Sequence, residues 1–240
     1  MKIDVAVIPG ELQYLDLSGM TAVVIDVFRF TTTAAAYLQK GAERIVPTSS
    51  IQEALQLREA SLFPEPLLLA GEENAQPIAG FDFGNSPIEF TGNQVHGATA
   101  IMTTTNGTGA VQACSPCAAV VLANIRNAQS AADYVTALGG DVIIVPAGLR
   151  GRFSAEDFWC AGAVIAYLHQ GQLTDGAKMA LQYFQTTPIS SLRDSDHGKY
   201  LLQLGLDKDI RYCLDPNMDT LVPVMDVEHH WIKAARKTPS

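Results

Sequence analysis

Four polar clusters in this chain each follow a short apolar run. The first is Asp26 and Arg29 with Thr31, Thr32 and Thr33. The second is Glu72, then a loop that reaches Asn85 and Ser86. The third is Thr103, Thr104, Thr105, Asn106, Gly107 and Thr108; the fourth is Arg150, Arg152, Glu156 and Asp157. Asp26, Glu72, Glu156 and Asp157 are oxygen donors of the kind that holds a hard cation such as Mg2+. Such a metal would screen a phosphate and could activate a water. Arg29, Arg150 and Arg152 suit anionic groups through charge-assisted hydrogen bonds. The Thr/Asn/Gly turn offers hydroxyls and backbone amides to phosphate oxygens.

These clusters need strands to bring them together. Ala22 to Ile25 is an uninterrupted apolar run and reads as a buried strand that ends at Asp26. The threonines after it are good N-caps for a helix over 32–40, and helix amides there can hold an anion. Leu67 to Ala70, Ala98 to Met102, and Asp141 to Val145 are further strands, each ending at one of the other clusters. In an open α/β sheet, ligands bind beyond the carboxyl ends of the strands. The expected fold is therefore three-layer α/β/α with a mainly parallel sheet. Each half reads strand, Thr-rich turn, helix, strand, helix, strand, so two pseudo-repeated halves are expected, 1–95 and 96–240, packed tightly enough to be one domain. Thr31–Thr33 and Asn106–Thr108 fall at equivalent points of the halves, as do Ala70-Gly71 and Ala147-Gly148. Thr220 to Met225 is a last strand, and Pro223 suits it to an edge.

The same residues have bland readings. Asp26 can cap the next helix, Arg29 can pair on the surface, and Glu156-Asp157 can be favourable charge at a helix start. Asp82, Asn85 and Ser86 can simply build turns. Four such loops at strand ends weigh more than any one of them.

The chain has 240 residues, 48% of them hydrophobic, enough for a substantial core. Its net charge of −9 disfavours nucleic acid and acidic membranes as partners. The opening MKIDVAVIPG lacks the apolar core and cleavage site of a signal peptide, and no apolar run approaches a membrane span, so a cytoplasmic protein is expected. Cys114, Cys117, Cys160 and Cys213 need no disulfide there. Cys114-Ser-Pro-Cys117 lies at a helix end, where a redox pair does not belong, and it has no second pair to complete a zinc site. His197, in a Ser/Asp-rich loop, is the most functional-looking histidine; His229-His230 reads as surface. The nucleophile-elbow, phosphate-loop and zincin signatures are missing from the sequence.

The segments VVIDVFRFTTT, GFDFGNSP after Ala70-Gly71-Glu72, TTTNGT, and AGLRGRFSAEDFWCAG together resemble the 2-phosphosulfolactate phosphatase (ComB-like) family. The resemblance extends through YLLQLGLDKDIRYCLD and LVPVM, and so covers nearly the whole chain. Phe30 departs slightly from the small residue expected before the threonines. The resemblance implies Mg2+-dependent removal of phosphate from 2-phosphosulfolactate to give 3-sulfolactate, a step of coenzyme M biosynthesis. Because the family also occurs where coenzyme M is not needed, another phosphorylated hydroxy acid is an open alternative. Carried onto this chain, the acidic motif positions are Asp26, Glu72, Glu156 and Asp157. The polar ones are Asn85, Ser86 and 104–108. The expected catalytic set is Asp26, Arg29, Glu72 and Glu156, with substrate bound by Thr31, Thr32, Asn85, Ser86, Thr104, Thr105, Asn106, Gly107, Thr108, Arg150 and Arg152. The expected partner is a small anionic phosphorylated substrate, with a homodimer allowed. The rival reading is a non-catalytic binder of an anionic metabolite.

Overall fold

The computed structural model describes residues 1–235. The strands are β1 (Lys2–Val5), β2 (Thr21–Ile25), β3 (Arg44–Thr48), β4 (Leu67–Glu73), β5 (Gln76–Pro77), β6 (Thr99–Thr103), β7 (Ala119–Ala123), β8 (Val142–Pro146), β9 (Gln172–Leu173), β10 (Pro223–Asp226) and β11 (Trp231–Ala234). The helices are α1 (Phe30–Gln39), α2 (Ile51–Glu59), α3 (Gly92–Val95), α4 (Gly107–Ala113), α5 (Ala128–Leu138), α6 (Ala155–Leu168), α7 (Asp175–Thr186), α8 (Asp196–Gln203) and α9 (Asp207–Cys213). The strands form one sheet in the order β5-β4-β6-β3-β11-β10-β7-β2-β8-β1-β9. Strands β4, β6 and β3 run parallel to one another, and so do β7, β2, β8, β1 and β9. The antiparallel hairpin β10–β11 joins the two parallel groups. This is the expected α/β fold with a mainly parallel sheet and helices on its faces.

The central strands β2, β6 and β8 are buried at every residue, as strands covered on both faces must be. Alternate side chains point to opposite faces. Val23 and Ile25 of β2 pack with α5 and α6, whereas Ala22 and Val24 pack with α1 and α4. The second of these clusters also takes Ile45 of β3, Ala70 of β4 and Met102 of β6, so α1 and α4 share one core with both parallel groups. A third, smaller cluster seals α2 onto Val46, Leu67, Leu69 and Ile101.

The sheet order shows how the sequence halves are joined. Strand β2 pairs with β7 and β8, while β6 pairs with β3 and β4. The leading strand of each half thus lies between two strands of the other. The registers correspond: Ile25 faces Ala123 and Pro146, and Thr103 faces Thr48 and Gly71. Asp26 and Thr104, the next residues, are therefore structural equivalents. The turns that follow also match. The Thr31 hydroxyl accepts from Asp26 N at 3.1 Å and donates to Asp26 O at 2.8 Å. The Thr108 hydroxyl does the same with Thr104, at 3.3 and 3.2 Å. The second correspondence read from the sequence is out of step: Gly71 aligns with Pro146, because both face the last residue of an exchanged strand, so Ala70-Gly71 matches Val145-Pro146.

The last apolar strand also differs from expectation. Strand β10 lies inside the sheet between β7 and β11. Pro223 is tolerated because it opens the strand, and the pairing with β7 falls on Val224 and Met225. Its partner β11 escaped the sequence reading, since Trp231–Ala234 is too short and too mixed to show a period.

Candidate active site

Strand β2 ends at Asp26, and Asp26, Phe28, Arg29, Glu72, Asn74, Ala75, Asn85, Thr105, Asn106, Leu149, Arg150, His197, Tyr200 and Leu201 line one cleft there. The cleft is tight, with a cavity volume of about 20 Å³, room for about one water molecule.

Asp26 is only 5% exposed. One of its carboxylate oxygens accepts from Phe30 N at 3.3 Å, at the start of α1. The other lies beside Gly107 at the start of α4, so close that a β-carbon on Gly107 would sit 2.5 Å from it. Burial raises the Asp26 carboxyl to about 6; His197 opposes the rise, and the charges of Glu72 and Glu156 add to it. Glu72 is fixed from both sides: one oxygen accepts from Thr105 N at 2.7 Å, and the other from the Thr105 hydroxyl at 3.0 Å and from Ala75 N. Gly71 makes this geometry feasible, because its φ of +139° and its approach to the Thr103 carbonyl exclude any side chain.

Arg29 is 4% exposed, with one guanidinium nitrogen on Asp209 at 3.0 Å and another on the Ala75 carbonyl at 3.1 Å. Asp209 is itself held by the Ser86 hydroxyl at 2.8 Å. The buried carbonyl oxygen of the Asn85 side chain has no partner among the described residues. At the outer edge, Arg150 adopts a left-handed φ of +52°. Its backbone N–H donates to the Asn106 side chain at 2.7 Å, and its guanidinium donates to the Asn74 side chain at 2.9 Å. The Tyr200 ring lies beside it, with the hydroxyl donating to Asn74 O at 2.8 Å.

Glu156 and Asp157 open α6, with Ser154 as N-cap. Both lie behind the cleft wall, where Glu156 accepts from the Ser195 hydroxyl at 3.0 Å and pairs with His197 Nδ1 at 2.8 Å. Burial alone would raise Glu156, but the hydrogen bond and charge of His197 outweigh it and hold the carboxyl below its usual value. Asp157 clamps two loops, accepting from Val27 N at 2.8 Å and Gly148 N at 3.1 Å. Burial, then the charges of Glu156 and Asp26, push its carboxyl well up despite those amides.

Of the residues expected from sequence, the cleft gathers Asp26, Arg29, Glu72, Asn85, Thr105, Asn106 and Arg150. Thr31 and Thr32 spend their hydroxyls on the carbonyls of Asp26 and Val27, and Thr104 and Thr108 bond each other, so these four shape the turns beneath the site. Gly107 gives Asp26 its space, and Ser86 braces Asp209. Arg152 is exposed and outside the lining, its backbone paired with Leu149. Tyr200 and Asp209 were missed, because only the packing of α8 and α9 brings them near β2 and β4; Asn74, the residue after β4, was missed as one more turn residue. His197 carried a sequence signal, and it is joined to Glu156, a partner 41 residues away.

Mg2+, implied by the resemblance, takes oxygen ligands, usually one or two carboxylates with waters and substrate phosphate. Asp26, Glu72 and the unpaired Asn85 oxygen line the cleft together and are such a donor set, whereas Glu156 and Asp157 are outside its lining. Among the described residues, no three His, Cys, Asp or Glu side chains form a closed metal cage. No helix among them is long and apolar enough to cross a membrane.

Comparison with known proteins places this chain among the phosphoric monoester hydrolases. More particularly, the chain belongs to the 2-phosphosulpholactate phosphatase family, whose model matches residues 6–228. A Clostridium perfringens (strain SM101 / Type A) protein named "Probable 2-phosphosulfolactate phosphatase" is 37% identical over 228 residues, 92% of each chain. Proteins of the same name from Thermotoga petrophila and Carboxydothermus hydrogenoformans are 38% and 37% identical; they cover 85% and 93% of this chain, and 88% and 92% of their own.

Proposed function

We propose that this chain is a cytoplasmic, Mg2+-dependent phosphatase that hydrolyses 2-phosphosulfolactate, or a closely related phosphorylated hydroxy acid, to 3-sulfolactate and phosphate. The observation that carries the reading is one cleft in which a buried arginine faces two buried carboxylates and an unpaired amide oxygen. The family and the names of its relatives support the substrate.

Asp26, Glu72 and the Asn85 side-chain oxygen would hold the metal, which when bound screens phosphate charge and acidifies a coordinated water. Arg29 binds an anionic group of the substrate deep in the cleft, its guanidinium kept in place by Asp209 and Ala75. Arg150, at the exposed edge, takes the sulfonate or carboxylate. The Asp26 oxygen left off the metal would accept the proton of the attacking water as the water oxygen bonds to phosphorus.

Phosphate release from 2-phosphosulfolactate, followed with added Mg2+ and after EDTA, tests the reading. Turnover lost to EDTA and restored by Mg2+ is the expected result. Release that EDTA leaves unchanged removes the metal from the proposal. Binding of phosphorylated hydroxy acids without any release overturns the phosphatase reading in favour of a binder.

A further inference from the structure

Breaking a phosphate ester of an alcohol leaves an alkoxide, a poor leaving group unless it receives a proton. In the deep cleft Asp26 serves as the base, Glu72 is held by Thr105, and Arg29 is engaged in ion pairing; at the edge the Tyr200 hydroxyl donates to the Asn74 carbonyl. His197 is the remaining side chain suited to the task. It comes from α8, over 170 residues beyond Asp26, and lines the same cleft while only 8% exposed. Its Nδ1 is committed to Glu156 at 2.8 Å, and Ser195 holds the other oxygen of that carboxylate at 3.0 Å. The Phe28 ring packs edge-on against the imidazole at 5.8 Å between centroids, fixing its plane. Among the described residues its ring makes a hydrogen bond through Nδ1 and none through Nε2. A carboxylate on one ring nitrogen holds an imidazolium in place and leaves its other N–H free to donate.

We propose that His197 is the general acid of the reaction, with Glu156 as its positioning residue; this rests on the phosphatase reading above. As the water oxygen bonds to phosphorus, the bond from phosphorus to the substrate's alcohol oxygen breaks. Its electron pair stays on that oxygen, which takes the proton from His197 Nε2. Asp26 holds the proton of the water, and exchange of that proton through solvent restores both groups. The products are the free alcohol and inorganic phosphate. Glu156 does not join the metal donor set, because it is not part of the cleft lining.

The test compares two leaving groups on the same protein at saturating Mg2+: 2-phosphosulfolactate, whose alkoxide needs a proton, and 4-nitrophenyl phosphate, whose phenolate does not. His197→Asn lowers kcat for the first by about 10²–10⁴-fold and for the second much less, so the ratio of the two shifts by at least about tenfold. That ratio does not depend on the fraction of variant that folds, because misfolding scales both rates alike. Glu156→Gln is the second variant and shifts the ratio in the same direction, by less; it decides the matter if His197→Asn does not fold. An unchanged ratio in the folded variants overturns the proposal and leaves the phosphatase reading standing. A wild-type protein that turns over neither substrate overturns both.

Discussion

Asp26 bears two costs that a residue kept only for packing would not. It is buried, and it sits among other carboxylates. Its folded-state carboxyl is raised to about 6, against about 3.9 in an unfolded chain. Between those values the folded protein binds more protons than the unfolded one, so stability falls as pH rises from about 4 to about 6. Asp26→Asn mimics the protonated acid. In EDTA, urea denaturation at pH 7 is expected to show the variant more stable than wild type by up to about 3 kcal/mol. The gain disappears by about pH 4, and turnover falls by at least about 10²-fold. Equal stability at both pH values would show that Asp26 is not strained. The sequence made this residue legible because an apolar run ending in an acid marks a strand end. Glu72 and Arg29 were legible for the same reason. Asp209 and Tyr200 were not, because neither lies at a strand end and only the fold of the last helices brings them near Arg29 and Arg150.

Among the elements, α4 bears most directly on the site, although its seven residues include two glycines. The two differ in what surrounds them. A β-carbon on Gly107 would meet the Asp26 carboxylate at 2.5 Å and the Phe30 ring at 2.5 Å, whereas one on the exposed Gly109 meets nothing within 4 Å. Gly107→Ala therefore pushes the start of α4 away from Asp26. It is expected to cost about 1–3 kcal/mol and to lower kcat, since Thr105 and Asn106 precede it in the cleft wall. Gly109→Ala in the same helix removes only backbone freedom and stabilises by about 0.5–1 kcal/mol with kcat unchanged. Thermal melts and phosphate release on the pair check both, and equal effects would show that the contact with Asp26 does not matter. Most element types were legible from periodicity, and the strands read at 98–102 and 141–145 lie within one residue of β6 and β8. The short pieces β5, β9, β11 and α9 were not, because two to seven residues carry too little pattern.

At the scale of the whole molecule, the exchange of leading strands decides both how the chain folds and where the site forms. The repeat of strand, Thr-rich turn and helix was visible in the sequence, but the exchange was not, since no local pattern records which strand a strand will pair with. Because β2 lies among strands of the second half, Asp26 meets the Thr105–Gly107 turn of that half. Because β6 lies beside β4, the same turn reaches back to Glu72 of the first. At the equivalent point of β6 stands Thr104, which has no carboxylate, so the duplicated framework supports one acidic strand end. The two halves are then expected to be interdependent. In a fragment 1–95, β2 has neither of its neighbours; in a fragment 96–240, β6 has neither of its own. Each fragment expressed alone should lack a cooperative thermal transition. Expressed together, they should assemble into a one-to-one complex that releases phosphate, because the missing link at 95/96 lies in the short α3–β6 connection, remote from the cleft residues. A cooperative melt from the isolated 1–95 fragment would show that the first half folds without its exchanged partner strands.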